Sequence, residues 1–176
     1  MSVIIPPARN PVIELLRGTN GIASGARAFA RIQAPQSQVR VAFDRIENEG
    51  SFAEFVRHIP MVKELKKVRD HFVIALQFRV AILSVGFGAE MRLVREGPDD
   101  VRFEYVKGEP RGLSLRFASH PLDDGSLMQI DVGFDIDSLG WLAKHFLKNH
   151  PEIRDGAHTG TAVAIVEALR TAVERM

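Results

Sequence analysis

Cysteine is absent from the sequence, and that absence removes disulfide frameworks, thiolate zinc sites and cysteine nucleophiles together. A reducing cytoplasm is the expected setting. An excess of one charge is missing as well: 23 Lys and Arg stand against 22 Asp and Glu, a net charge of +1. No global field therefore draws the chain to nucleic acid or to an anionic membrane, and no specific nucleic-acid partner is expected. Nowhere do eighteen apolar residues run together, which argues against a spanning helix. Pro6 and Pro7 cut short the opening apolar run, which is too brief for the hydrophobic region of an export signal. What is present is 45% hydrophobic content in 176 residues, enough for one domain with a full core.

Residues 1–26, with Pro6, Pro7, Pro11, Gly18, Gly21 and Gly25, read as an N-terminal extension in which Val12 to Leu16 can make one or two helical turns. The domain proper is expected over 27–176. From Ala26 to Ala34, Arg and Gln alternate with apolar residues, the period of a half-buried strand, which Pro35 ends. Ser37 suits a helix N-cap, and Val39, Val41, Ala42, Phe43 and Ile46 recur at roughly helical spacing. Ser51 and Glu54 form a capping-box pattern ahead of a second short helix with the stripe Phe52, Phe55, Val56 and Ile59.

After Pro60 the period changes to two for about 75 residues. Phe72, Ile74, Leu76, Phe78 and Val80 alternate with other residues; so do Leu83 through Leu93, then Phe103 and Tyr105, then Leu113, Leu115 and Phe117, and finally Met128 through Ile136. Turn residues at 96–100, 107–110 and 123–125 separate these runs, which predicts an antiparallel meander with one apolar face. Helical spacing returns at Ser138, with Leu139, Trp141, Leu142, Phe146 and Leu147, and ends near Pro151. Gly156 to Gly160 reads as a hinge. The last helix, Thr161 to Met176, carries Ala162, Ile165, Val166, Leu169, Ala172, Val173 and Met176 on one face.

This order of elements resembles the START-like, Bet v 1-like (SRPBCC) superfamily, from about Ala26 to the end. The run Ser51-Phe-Ala-Glu-Phe-Val-Arg-His-Ile-Pro-Met-Val-Lys-Glu-Leu65 resembles its polyketide cyclase/dehydrase and coenzyme Q-binding branch. The resemblance implies an α+β helix-grip fold, in which about seven antiparallel strands curl around a long C-terminal helix and two short helices follow strand one. It also implies a cavity between sheet and helix for a hydrophobic small molecule such as a lipid, a quinone or a polyketide-like compound. Fold alone does not choose among the superfamily's carriers, cyclases and interaction modules. The N-terminal arm departs from the pattern and leaves open a homodimer contact or a cap over the cavity.

The residues expected to line such a cavity are Phe72, Ile74, Leu76, Phe78, Phe87, Met91, Phe103, Tyr105, Phe117, Met128, Phe134, Ile165 and Leu169. Ordinary core packing accounts for any one of them. Taken together, with Gly86, Gly88 and Gly133 permitting bends in their strands, they suit a pocket for an apolar ligand. The six histidines show no metal-ligand spacing, so no metal and no cofactor are expected. Asp99, Asp100, Asp123 and Asp124 sit in turn contexts, and Asp131 and Asp135 fall on the outward face of their strand, which favours solvent over chemistry. Lys63, Lys66, Lys67 and Arg69 form one basic run, a solvated strand edge or else a contact site. The residues lean away from catalysis. A cyclase would need the single tyrosine, Tyr105, inside the cavity with Arg111 or His120 as companions.

Overall fold

The computed structural model describes residues 6, 10–46, 62–69, 71–80, 83–141, 144, 145, 147 and 150–176, with the backbone alone at 78–80 and 83–85. Eight strands run through it: β1 (Val12–Arg17), β2 (Ala23–Ile32), β3 (Val62–Val68), β4 (His71–Val80), β5 (Leu83–Gly97), β6 (Asp100–Gly108), β7 (Arg111–Leu122) and β8 (Gly125–Asp135). They form one sheet in the order β1-β2-β8-β7-β6-β5-β4-β3. Every neighbouring pair is antiparallel. From β3 to β8 the chain is thus the meander that the period-two pattern predicts, and β2 returns to lie beside β8.

The strand beyond the expected seven is β1. Val12-Ile-Glu-Leu-Leu-Arg17 places its apolar residues in pairs, which fits a helical turn as well as a strand, and pairing with β2 from Val12↔Phe29 to Arg17↔Ala23 decides the matter. A six-residue edge strand is held by its backbone ladder more than by its own pattern. The segment 12–26, read in sequence as an extension outside the domain, therefore supplies the edge strand and the start of β2. At the β7–β8 turn Gly125 has φ +145°, and an added Cβ would lie 2.3 Å from the Ile32 carbonyl oxygen. Glycine is required there by both conformation and space.

Helix α1 (Gln36–Ile46) follows β2 and buries Val39, Ala42, Phe43 and Ile46, while Val41 faces solvent. Ser37 lies within the first turn, and the Pro35 carbonyl accepts from the Gln38 and Val39 amides. Two ion pairs pin α1 to neighbouring strands. Arg40 makes a bidentate contact with Asp99 at 2.7 Å in the β5–β6 turn, and Arg95 on β5 reaches Asp44 at 2.6 Å. Asp99, expected as a solvated turn residue, is held below the usual carboxylate range chiefly by the Arg40 guanidinium. The second short helix expected from Ser51 to Pro60 lies outside the described residues.

The terminal helix α2 spans Pro151–Glu174, 24 residues, or about 36 Å at 1.5 Å per residue. The expected helix began ten residues later. Pro151 is its first residue, where a missing N–H costs nothing, and Gly156 and Gly160 are helical positions inside it, not a hinge. Met176, expected on the buried face, is exposed beyond its end.

The concave face of the sheet and the inner face of α2 form one continuous apolar cluster. On the convex face a ladder of charge crosses four strands: Arg27 on β2 meets Asp131 on β8 at 2.7 Å, Asp131 also accepts from Gln129 at 3.0 Å, and Arg116 on β7 pairs with Asp100 on β6. Asp131 does face outward, as its strand register requires, but it is an ion-pair partner and not a solvated carboxylate. No helix among the described residues is long and apolar enough to cross a membrane.

Candidate functional site

The seam between α2 and the sheet begins with alanine. Helix α2 lies mainly over β2, with β8 and β1 beside it, and β2 presents Ala26, Ala28 and Ala30 to a face that carries Ala162, Ile165, Val166 and Leu169. Small side chains on both elements let the backbones approach closely, so Ala162 fills the seam and does not leave space in it, as its size alone suggested. A helix is only about 10–12 Å across, whereas eight strands at about 4.8 Å spacing span roughly 34 Å. Most of the concave face therefore extends past the helix.

Most of the expected lining residues occupy that face. Phe72, Ile74, Leu76, Met91, Phe103, Phe117, Met128 and Phe134 are buried in one cluster with Ile165 and Leu169, and Phe87 and Tyr105 pack against it partly buried. The side chain of Phe78 lies outside the described residues. Rings organise the middle of the cluster: Phe72 and Phe103 meet edge to face at 5.3 Å, Phe103 and Phe117 at 6.1 Å, and Phe43 of α1 reaches Phe117 at 6.4 Å. Aromatic pairs at these separations attract beyond the area that they bury.

Tyr105 is placed differently from the expectation for a cyclase. Its hydroxyl donates to the Gly108 carbonyl at 2.9 Å near the end of its own strand. Arg111 and His120 stand nine residues apart on β7, about 30 Å along an extended strand. The three groups do not converge. Among the described residues no three of His, Asp and Glu are grouped to hold a metal ion. At the sheet edge, Lys63, Lys66 and Lys67 on β3 and Arg69 in the turn after it are exposed, and the Lys67 ammonium lies 5.7 Å from the centroid of the Phe72 ring.

At the start of α2 the surface opens into a hollow of about 510 Å³ between the β1–β2 turn, the ends of β7 and β8 and the short 3₁₀ turn Ile136–Leu139. Its floor includes the buried Ala23, Phe134 and Ile136, and its rim carries Thr19, Asn20, the exposed Ile22, Ser114, Asp135, Asp137 and Arg154. Arg154 donates to Asp137 at 2.6 Å, and Arg17 at the end of β1 pairs with Asp155 at 2.8 Å. These two pairs fix the first turns of the helix against the sheet.

Behind the floor lies the polar residue that the sequence did not single out. His158 is fully buried, its ring centroid is 4.4 Å from that of Phe134, and neither ring nitrogen has a hydrogen-bond partner. Burial holds its pKa below the ordinary histidine value, and Arg154 adds to the shift. Asp155 and the Ala23 backbone oppose it, the latter facing the ring without meeting hydrogen-bond geometry. A helix begun at Thr161 leaves His158 in a loop. Carrying the buried stripe of 162, 165, 166 and 169 back by one turn puts it on the inner face.

No family model matches the chain, and no curated protein matches it. Solved structures do. A START superfamily protein from Mycobacterium smegmatis superposes with a TM-score of 0.60 at 13% identity, covering 85% of this chain and 96% of that one. The chain has a START-like, helix-grip fold. The START-like frame recurs in the Zhui aromatase/cyclase from Streptomyces sp. R1128, with a TM-score of 0.55, 13% identity and coverage of 85% and 92%. A STAR-related lipid transfer protein from Xanthomonas axonopodis matches at a TM-score of 0.54 and 17% identity, over 98% of this chain and 97% of that one. At these identities the likeness shows the fold and leaves the activity to be argued from the START-like chain's own residues.

Proposed function

We propose that the protein binds a hydrophobic small molecule, of the lipid, quinone or polyketide-like kind, between the concave sheet and α2. The observation that carries this reading is the breadth of the apolar concave face: it runs from Leu65 on β3 to Ala30 on β2, far wider than one helix covers. Its central strands carry adaptable Met91 and Met128 beside the Phe72, Phe103 and Phe117 rings, a lining suited to an apolar guest of irregular shape. The named neighbours include a lipid transfer protein and an aromatase/cyclase. Binding without chemistry is the better supported of these two roles here, because Tyr105, Arg111 and His120 do not converge.

Titration with N-phenyl-1-naphthylamine, a neutral dye that fluoresces in apolar surroundings, tests the proposal. Saturable enhancement at one dye per chain is the expected result. A linear, unsaturable response, or none, overturns it.

A further inference from the structure

An imidazole with both nitrogens unpartnered is an expensive thing to bury. Leaving a polar group unsatisfied in the interior costs about 1–3 kcal/mol, and buried polar groups in folded proteins are nearly always bonded to protein, water or ligand. His158 is in that state at full burial. It stands on the same inner stripe of α2 as Ala162, Ile165 and Leu169, at the end of the seam nearest the hollow. Phe134 and Ala23, against which the imidazole lies, are both part of the floor of that hollow. Phe134 thus touches the imidazole and also lines a space of about 510 Å³.

We propose that this end of the seam is the polar subsite of the ligand site, where His158 hydrogen-bonds a neutral carbonyl or hydroxyl oxygen at the head of an amphipathic molecule whose apolar body lies along the concave face. The inference rests on the hydrophobic-ligand reading above and adds to it the chemistry of the head. Neutral oxygen is the class favoured by charge. The cation on the rim, Arg154, is already engaged by Asp137, and Asp135 is a second carboxylate there, so an anionic head meets net negative charge. A cationic head would be held at the Asp135 carboxylate on the surface lining and not at the fully buried His158, where desolvation disfavours any charge. A neutral imidazole offers one donor and one acceptor, which suits a ketone, a quinone or a phenol equally. Shifting Phe134 aside opens the path from hollow to ring.

Equilibrium dialysis with a matched pair of probes tests this. Menadione and 2-methylnaphthalene share a methylated two-ring skeleton, and only the former carries carbonyl oxygens; without cysteine the protein has no thiol for menadione to alkylate. The intact chain is expected to bind menadione about tenfold more tightly, the ratio that one buried hydrogen bond of ordinary strength supports. In His158→Phe that ratio falls to near one. A wild type that binds both equally, or a variant that keeps the preference, overturns the subsite and leaves the hydrophobic-ligand reading intact; binding of neither compound overturns both. Should the variant not fold, ¹⁵N spectra of the histidine rings in the wild type decide: the His158 nitrogens shift with menadione and not with 2-methylnaphthalene, and an unmoved His158 overturns the proposal.

Discussion

His158 shows how burial turns an ordinary side chain into a measurable one. Held neutral by desolvation, it has a folded pKa below its unfolded value of about 6.5. Between those two values the unfolded chain binds more protons, so stability rises with pH through that window. Its contribution is complete above about pH 6.5 and declines as the pH falls toward the folded pKa. Urea unfolding at pH 7.5 and at pH 5.5 is expected to show lower stability in the acid sample, with part of the difference removed in His158→Phe. A variant with the same pH dependence as the wild type would put the titrating groups elsewhere. The sequence carries this residue as one of six histidines without ligand spacing; only the length of α2 reveals that it faces inward.

At the scale of elements, legibility followed the strength of the periodic signal. The strands from Phe72 to Asp135 were readable because apolar residues alternate over long runs, and Phe72, Ile74, Leu76, Met91, Phe103, Phe117, Met128 and Phe134 among them lie on the concave face. Strand β1 was not readable, because Val12-Ile-Glu-Leu-Leu-Arg17 has no clean period and is fixed by its pairing with β2, from Val12↔Phe29 to Arg17↔Ala23. The start of α2 was hidden by Gly156 and Gly160, which propensity alone marks as breaks. Tertiary packing overrides that preference: Arg154–Asp137 and Arg17–Asp155 tie this stretch down. Both glycines are exposed and an added Cβ at either meets nothing within 4 Å. Replacing each by Ala is expected to raise stability by about 0.5–1 kcal/mol, read as a higher urea midpoint with an unchanged slope. A loss of stability at both positions would mean that the helix is not formed there.

On the scale of the whole molecule, an element order read from sequence and the superposed START-like structures agree on a sheet curled against one long helix. The residues buried on the concave face were largely legible in the alternation, since a meander with one apolar face buries that face; that they also form a ligand wall is part of the proposal. What the pattern could not convey is where α2 sits across that face. Alanines on β2 and α2 place it close over one side of the sheet, and the aromatic strands extend beyond it. A ligand held along that face is the central claim, and mass spectrometry of the purified protein under non-denaturing conditions tests it most directly. The account predicts a species heavier than the 19.6 kDa chain by one small organic molecule, either retained from expression or after incubation with menadione, which returns to the bare mass on denaturation. A chain that shows only its bare mass in both preparations would contradict it.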